Sequence, residues 1–256
     1  MDYLEINKEA WNRRTKTHVV SEFYDVKGFL NGNSSLREIE LDEMDDVTGK
    51  SLLHLQCHFG LDTLSWARKG AIVTGVDLSP VAIEQANHLK EKTNIDAQFI
   101  CSDIYEFGER ATYEYDIVIT TYGVLNWLPC LHKWANVISK SLKPGGTFYM
   151  VEFHPIYDLI SGYSYFGSKE GELEEGSSYV EKNSGDTSKM VTWAHPMSEV
   201  VNSLIESGIQ INRLNEFPFS PYNCFEGLEK KERGRFYLAK TEHETPLVFS
   251  IMGTKT

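Results

Sequence analysis

Short apolar runs alternate with turns and helical stretches from Ser51 to Phe153, and this alternation limits the chain to a narrow class of folds. Strands are expected at residues 51–55, 71–76, 97–101, 115–121 and 147–153. Between them lie a short helix over 62–69 stopped by Gly70, and a second helix that starts at Ser79-Pro80 and buries Val81, Ala82, Ala86 and Leu89. A third helix covers 131–142, with Trp134, Val137, Ile138 and Leu142 at helical spacing. Lys143-Pro144-Gly145-Gly146 reads as the turn before the fifth strand. Strands that alternate with helices pair in parallel through right-handed crossovers, which puts helices on both faces of the sheet.

After Phe153 the pattern breaks. Residues 157–193 are rich in Gly, Ser, Glu and Tyr without clear period, and read as an insertion: a lid, a packed hairpin or a dimer contact. A helix over 196–207, stopped by Gly208, and strands at 209–217 and 247–253 complete the pattern, with a charged excursion over 222–245. Ahead of the first strand, residues 7–20 read as a helix with Trp11 on one face, followed by the loop Asn31-Gly32-Asn33-Ser34-Ser35. The expectation is one α/β domain over residues 1–256: an N-terminal cap (1–45), a core (46–154), the insertion (155–195) and a C-terminal helix with strands (196–256).

A chain of 256 residues can bury one large core. Its formal charge of −12 repels phosphate backbones, and the basic residues Lys230, Lys231, Arg233 and Arg235 are interleaved with Glu226, Glu229 and Glu232, so no nucleic-acid partner is expected. Cys57, Cys101, Cys130 and Cys224 form no Cys-x-x-Cys pair, and the first residues carry acids rather than an apolar stretch. No run is long enough to span a membrane. These features point to a reducing, cytoplasmic setting.

The chemistry gathers at the carboxyl ends of the strands. The second strand stops at Asp77, where an acid faces the crevice of an open sheet and can accept both hydroxyls of a ribose. Ser79 is the better cap for the next helix, which leaves Asp77 free. One strand earlier, the turn Leu55-Gln56-Cys57-His58-Phe59-Gly60-Leu61-Asp62 aims backbone amides at whatever lies above the sheet, and Gly60 permits close approach. One strand later, Asp103 stands where it can bond an exocyclic amino group or cap a turn. His54, Cys57 and His58 suggest zinc, but strand alternation keeps His54 and Cys57 apart and no second ligand pair is near, so no metal is expected.

On these residues the chain resembles the class I S-adenosylmethionine-dependent methyltransferases, over residues 51–153 and again over the last helix and two strands. The resemblance implies a Rossmann-like, doubly wound seven-stranded sheet, mostly parallel with an antiparallel last strand. It also implies S-adenosyl-L-methionine as cofactor: Gly60, with Gln56 and His58, at the methionine end; Asp77 on the ribose; Asp103 near the adenine, flanked by Leu78 and Ile104; and Thr120 and Tyr122 facing the sulfonium and acceptor. The chain departs from the family in the first turn, where His54 replaces an acid and Gln56 and His58 replace two glycines. The His58 imidazole or the Gln56 amide then contacts the methionyl carboxylate in place of backbone amides, or their bulk closes the site.

Methyl transfer from a sulfonium chiefly needs alignment and exclusion of water. His154 is the candidate base, with Tyr122 beside it, and Tyr122, Asn126, Trp127 and Tyr157 are candidates for a small-molecule acceptor site. A hydrogen-bonded loop histidine is the other reading of His154. Glu152 faces either crevice or solvent, and His195 reads as structural. A homodimer is compatible with the sequence. Two other functions stand beside methyl transfer: a non-catalytic S-adenosylmethionine- or nucleotide-binding module, and an NAD-dependent Rossmann oxidoreductase, whose Gly-x-Gly-x-x-Gly turn is missing.

Overall fold

The structure, a computed structural model, describes residues 2–110, 112–180, 187–239 and 243–256. Residues 181–186 of the expected insertion and 240–242 of the second excursion lie outside the described residues. The chain opens with α1 (Tyr3–Val20), α2 (Val26–Leu30) and α3 (Glu38–Glu43). The alternating core follows: β1 (Ser51–Leu55), α4 (Leu61–Arg68), β2 (Ile72–Asp77), α5 (Pro80–Thr93), β3 (Gln98–Cys101), α6 (Ile104–Arg110), β4 (Tyr115–Thr121), α7 (Leu131–Ser141) and β5 (Leu142–Phe153). Then come α8 (Ile156–Ile160), the hairpin β6 (Glu172–Gly176) and β7 (Ser188–Thr192), α9 (Met197–Glu206), β8 (Ile209–Phe217), the hairpin β9 (Leu228–Glu232) and β10 (Arg235–Leu238), and β11 (Val248–Lys255).

The main sheet has seven strands in the order β3-β2-β1-β4-β5-β11-β8. The first five pair in parallel, and β11 runs antiparallel between β5 and β8. Each face carries its own core. One is built on Trp134, Ile138, Phe148, Met150 and Leu204, the other on Leu64, Trp66, Phe59, Tyr149 and Val151. Tyr149 and Met150 sit on opposite sides because successive strand residues alternate. Local chemistry sets the element ends: Ser79 Oγ accepts from Ala82 N at 3.0 Å to start α5, and Asn94 closes it in a left-handed conformation, φ 52°.

The expected turn at Lys143-Pro144-Gly145-Gly146 lies inside β5. Pairing with β4 jumps from Tyr115↔Leu142 to Ile117↔Thr147, so these residues form a bulge with Gly145 at φ 76°. Below it, Asp116 accepts from Ser51 N (2.8 Å) and Oγ (2.6 Å) and pairs with Lys143 Nζ (2.7 Å), pinning the amino ends of three strands. The Lys143 and Ser51 bonds pull the Asp116 carboxyl down to about 2.

The short helices α2, α3, α6 and α8 are absent from the sequence expectation; each has at most seven residues, too few for a clear apolar period. The insertion contributes a hairpin that clasps α1: Asn7 Nδ2 donates to Val191 O (2.9 Å) and Val191 N donates back to Asn7 Oδ1 (2.8 Å). On its other flank α1 is tied to the β2–α5 corner, where Ser79 Oγ donates to Asn12 Oδ1 at 2.7 Å. The N-terminal helix therefore roofs the carboxyl edge of the sheet.

Trp134, fully buried against Phe148, anchors the first of the two cores. Trp134→Ala is expected to cost about 4 kcal/mol, read as a lowered urea midpoint; a midpoint unchanged from wild type would contradict that role.

Candidate active site

A cavity of about 370 Å³ lies between the carboxyl ends of β1, β2, β3, β4 and β5 and the inner face of α1. That volume falls within the range of small-ligand sites. Asp77, Leu78, Asp103 and Ile104 line one end, Gln56 and His58 the middle, and Tyr122, Asn126, Trp127 and Tyr157 the other end.

The turn after β1 shapes the middle. Gln56 (φ 56°), His58 (φ 52°) and Gly60 (φ 79°) all adopt left-handed backbone. The alternate positions thus keep the conformation glycine would take, although two of them carry side chains at a cost of about 1–2 kcal/mol each. The twist aims His58 N at Asp77 Oδ2, 2.8 Å away, while Ser79 N donates to Asp77 Oδ1 at 2.9 Å. Each carboxylate oxygen still has a lone pair to offer the cavity. Burial pushes the Asp77 carboxyl up to about 6 against these two bonds. Asp103 takes the capping role its sequence position allowed. Its Oδ1 caps α6, accepting from Tyr105 N (2.9 Å) and Glu106 N (3.0 Å), and Oδ2 has no protein partner among the described residues.

Three expected residues sit differently. Gly60 lies outside this cavity, and a Cβ at its position would meet the Phe99 ring at 2.7 Å. Its glycine serves packing and the start of α4. Thr120 is fully buried with an unpartnered hydroxyl and does not reach the cavity; its neighbour Thr121 does, since the strand alternates faces. His154 borders the cavity, but both ring nitrogens are engaged. Nδ1 accepts from Ile156 N at 3.1 Å, so Nε2 carries the proton and donates to Glu216 at 2.8 Å. Burial lowers its pKa against the pull of Glu216, and no ring lone pair remains for a base.

Glu152 faces inward. Its buried carboxylate accepts from the N–H groups of Gly123, Val124 (2.8 Å), Leu125 (3.3 Å) and Phe153 (2.6 Å), fixing the loop after β4. Burial raises its pKa while these four bonds oppose the rise. In that loop Tyr122 is left-handed, φ 40°, and Trp127 Nε1 donates to Gly123 O at 3.0 Å. Asn126 bonds Asp158, and Tyr157 stacks on Phe225 with ring centroids 4.1 Å apart. His195 is structural: Nε2 lies 2.8 Å from Leu128 O and Nδ1 3.0 Å from Glu199. His54 is held between Thr63 (2.9 Å) and Thr121 (3.2 Å), and burial lowers it to about 4, so it is neutral near pH 7.

Sequence reading missed Arg14 and Glu40. Arg14 reaches in from α1 between the rings of Trp11 and Trp127, with a buried Nε that has no partner. The Trp11…Arg14 spacing on one helix face was the available signal. Glu40 is buried on α3 and accepts from Tyr122 Oη; nothing in the local sequence brings those two together.

Residues 52–146 match the family described as methyltransferase domain. Over that stretch the core of this chain is similar to methyltransferases. Among curated methyltransferases, the ubiquinone biosynthesis O-methyltransferase of Saccharophagus degradans is 26% identical over 148 residues, covering 57% of this chain and 62% of that protein. An uncharacterized methyltransferase of Synechocystis is 30% identical over 127 residues, covering 49% and 57%. The chain thus spans little more than half the length of these relatives. In fold it is similar to an S-adenosylmethionine-dependent methyltransferase from Mesorhizobium loti (TM-score 0.59, 18% identity, 88% of this chain and 100% of the other). It is also similar to the geranyl diphosphate C-methyltransferase of Streptomyces coelicolor (TM-score 0.61, 13% identity, 100% and 98%). The site fits the methyltransferase cofactor: Gln56 Oε1, His58 Nε2 and Arg14 Nε are buried, unpartnered polar atoms of residues lining one cavity, complementary to the charged head of an amino acid.

The raised Asp77 carboxyl has a stability consequence. Stability from a group raised above its unfolded value of 3.8 is complete below that value and is lost as pH climbs through about 6. In thermal melts of the ligand-free protein, wild type is expected to lose stability relative to Asp77→Asn as pH rises across that window. A constant difference would contradict the burial of this acid.

Proposed function

We propose that this protein transfers a methyl group from S-adenosylmethionine to a small-molecule acceptor. The observation that carries the proposal is the pair Asp77 and Asp103, at the ends of adjacent strands, each with acceptor capacity left over at the edge of one cavity. Asp77 accepts the ribose hydroxyls, Asp103 Oδ2 accepts from the adenine amino group, and Leu78 and Ile104 flank the ring. Arg14, Gln56 and His58 meet the methionine head. When bound, the cofactor supplies an electrophilic methyl on sulfur. The protein's part is then to hold the acceptor in line and keep water out.

The acceptor end supports a compact, ring-bearing molecule. Tyr24, Tyr122, Phe153, Tyr157, Tyr222 and Phe225 line it, and the last five form a run of edge-to-face, tilted and stacked ring contacts. They come from the leader, the core, α8 and the second excursion, while Tyr179 of the insertion bonds Tyr24 through their hydroxyls. We infer that the insertion and α1 form one cover, because the Asn7–Val191 pair joins them. Deleting the hairpin would therefore disturb cofactor binding as well as transfer. The net charge of −12 supports a small-molecule rather than nucleic-acid partner, and four cysteines without a Cys-x-x-Cys pair support a reducing, cytoplasmic setting. Among the described residues no helix is long and apolar enough to cross a membrane.

Calorimetric titration with S-adenosylhomocysteine is expected to give one site in wild type, and Asp77→Ala is expected to weaken it by about 2 kcal/mol or more. No heat and no thermal shift in wild type would remove the proposal.

A further inference from the structure

Glu40 is a second buried carboxylate at this end; where Glu152 is spent on backbone N–H groups, Glu40 is tied to a side chain that lines the cavity. It sits on α3 with no solvent exposure. Oε1 accepts from Arg37 N at 2.7 Å, and Oε2 accepts from Tyr122 Oη at 2.8 Å. The Tyr122 ring lines the cavity, and the left-handed backbone at Tyr122 and Gly123 (φ 40° and 78°) turns it there. Non-glycine residues held in such a conformation concentrate at working sites. A phenol that donates one hydrogen bond can still accept another.

We propose, on the reading that the protein is a methyltransferase, that Tyr122 and Glu40 form a proton relay and that the acceptor is the hydroxyl of an aromatic ring. The acceptor O–H bond breaks and an O–CH₃ bond forms. The acceptor proton passes to the Tyr122 oxygen as the Tyr122 proton passes to Glu40 Oε2. The bond between methyl and cofactor sulfur breaks, its electron pair staying on sulfur. Glu40 later returns its proton to solvent by the same route. Tyr122 touches the acceptor; Glu40 acts through it.

The surroundings agree with this assignment. Burial raises the Glu40 carboxyl to about 7, and the charge of Asp62 on α4 adds to the rise, while bonds from the Arg37 and Glu40 backbone N–H groups and from Tyr122 oppose it. Tyr222, in the second excursion, and Tyr149, on β5, also face the cluster. The Arg37 guanidinium lies over the Tyr222 ring, 4.5 Å from its centroid. His154, with both nitrogens engaged, does not compete for the role. Aromatic walls suit a planar ring, and a neutral hydroxyl needs a base where a free amine does not.

The test uses the full chain, with phenol and catechol as oxygen probes and aniline and benzylamine as nitrogen probes, each with labelled S-adenosylmethionine. Label is expected on phenolic oxygen, with a rate that falls about tenfold per pH unit below about pH 7. Glu40→Gln is expected to lower kcat about a hundredfold and flatten that limb, leaving S-adenosylhomocysteine affinity unchanged. Tyr122→Phe should do the same, and covers a failure of the first variant to fold. Independently of turnover, the infrared carboxyl band missing from Glu40→Gln should titrate near pH 7 in wild type. Label on nitrogen alone, no label on the phenols despite bound S-adenosylhomocysteine, an unchanged pH limb in both variants, or no such carboxyl band would each overturn the relay. Failure of wild type to bind S-adenosylhomocysteine would instead remove the methyltransferase reading, and this inference with it.

Discussion

The hydrogen bond from the His58 amide to the Asp77 carboxylate holds the site together. It joins the turn after β1 to the end of β2, and it exists only because Gln56 and His58 accept left-handed backbone. That conformation is strained for residues with a Cβ, so something must repay it. Part of the return is the bond itself, made to a buried acid. Part is packing: the His58 ring meets Trp11, His18, Tyr24 and Phe59, with centroids 4.4 to 5.4 Å apart. A glycine at this position would relax the backbone and leave that space without a ring.

The aromatic group around His58 also explains why His58 and its neighbour His18 are neutral where they might have been cationic. Burial, and then the nearby Arg14, depress His18 to about 3, and burial takes His58 well below its ordinary value. Arg14 is the cation that remains, lying over indole faces rather than against a carboxylate. A guanidinium with an unpartnered buried N–H is costly unless a ligand supplies an acceptor. The acids divide in a similar way. Glu152 spends its lone pairs on a loop, Asp77 and Asp103 keep some in reserve, and Glu40 is joined to the cavity wall through the Tyr122 phenol.

Much of the fold was legible in the sequence because it rests on local rules. Ser51–Leu55 and Tyr115–Thr121 are apolar runs of strand length, and the Ser79-Pro80 helix start carries its own cap. The misreading at Lys143-Pro144-Gly145-Gly146 has a local cause too: turn residues and a bulge share the same composition, and only the partner strand tells them apart. At the site, the strand-end acids were legible for the same reason as the strands. Thr120 was not, because a one-residue step reverses the face a side chain occupies. Neither was His154, whose engagement depends on Glu216, 62 positions away.

The sequence by itself determined the alternating sheet, the acids at its carboxyl edge and the substitution of side chains for glycines in the first turn. Those are short-range consequences of apolar period, capping and residue size. Only the tertiary structure decided that the leader and the insertion are joined through Asn7 and Val191, that Arg14 reaches the cavity, and that Glu40 meets Tyr122 across 82 positions. Such contacts arise when separate elements bury their faces together, and no local pattern in the chain records which faces will meet.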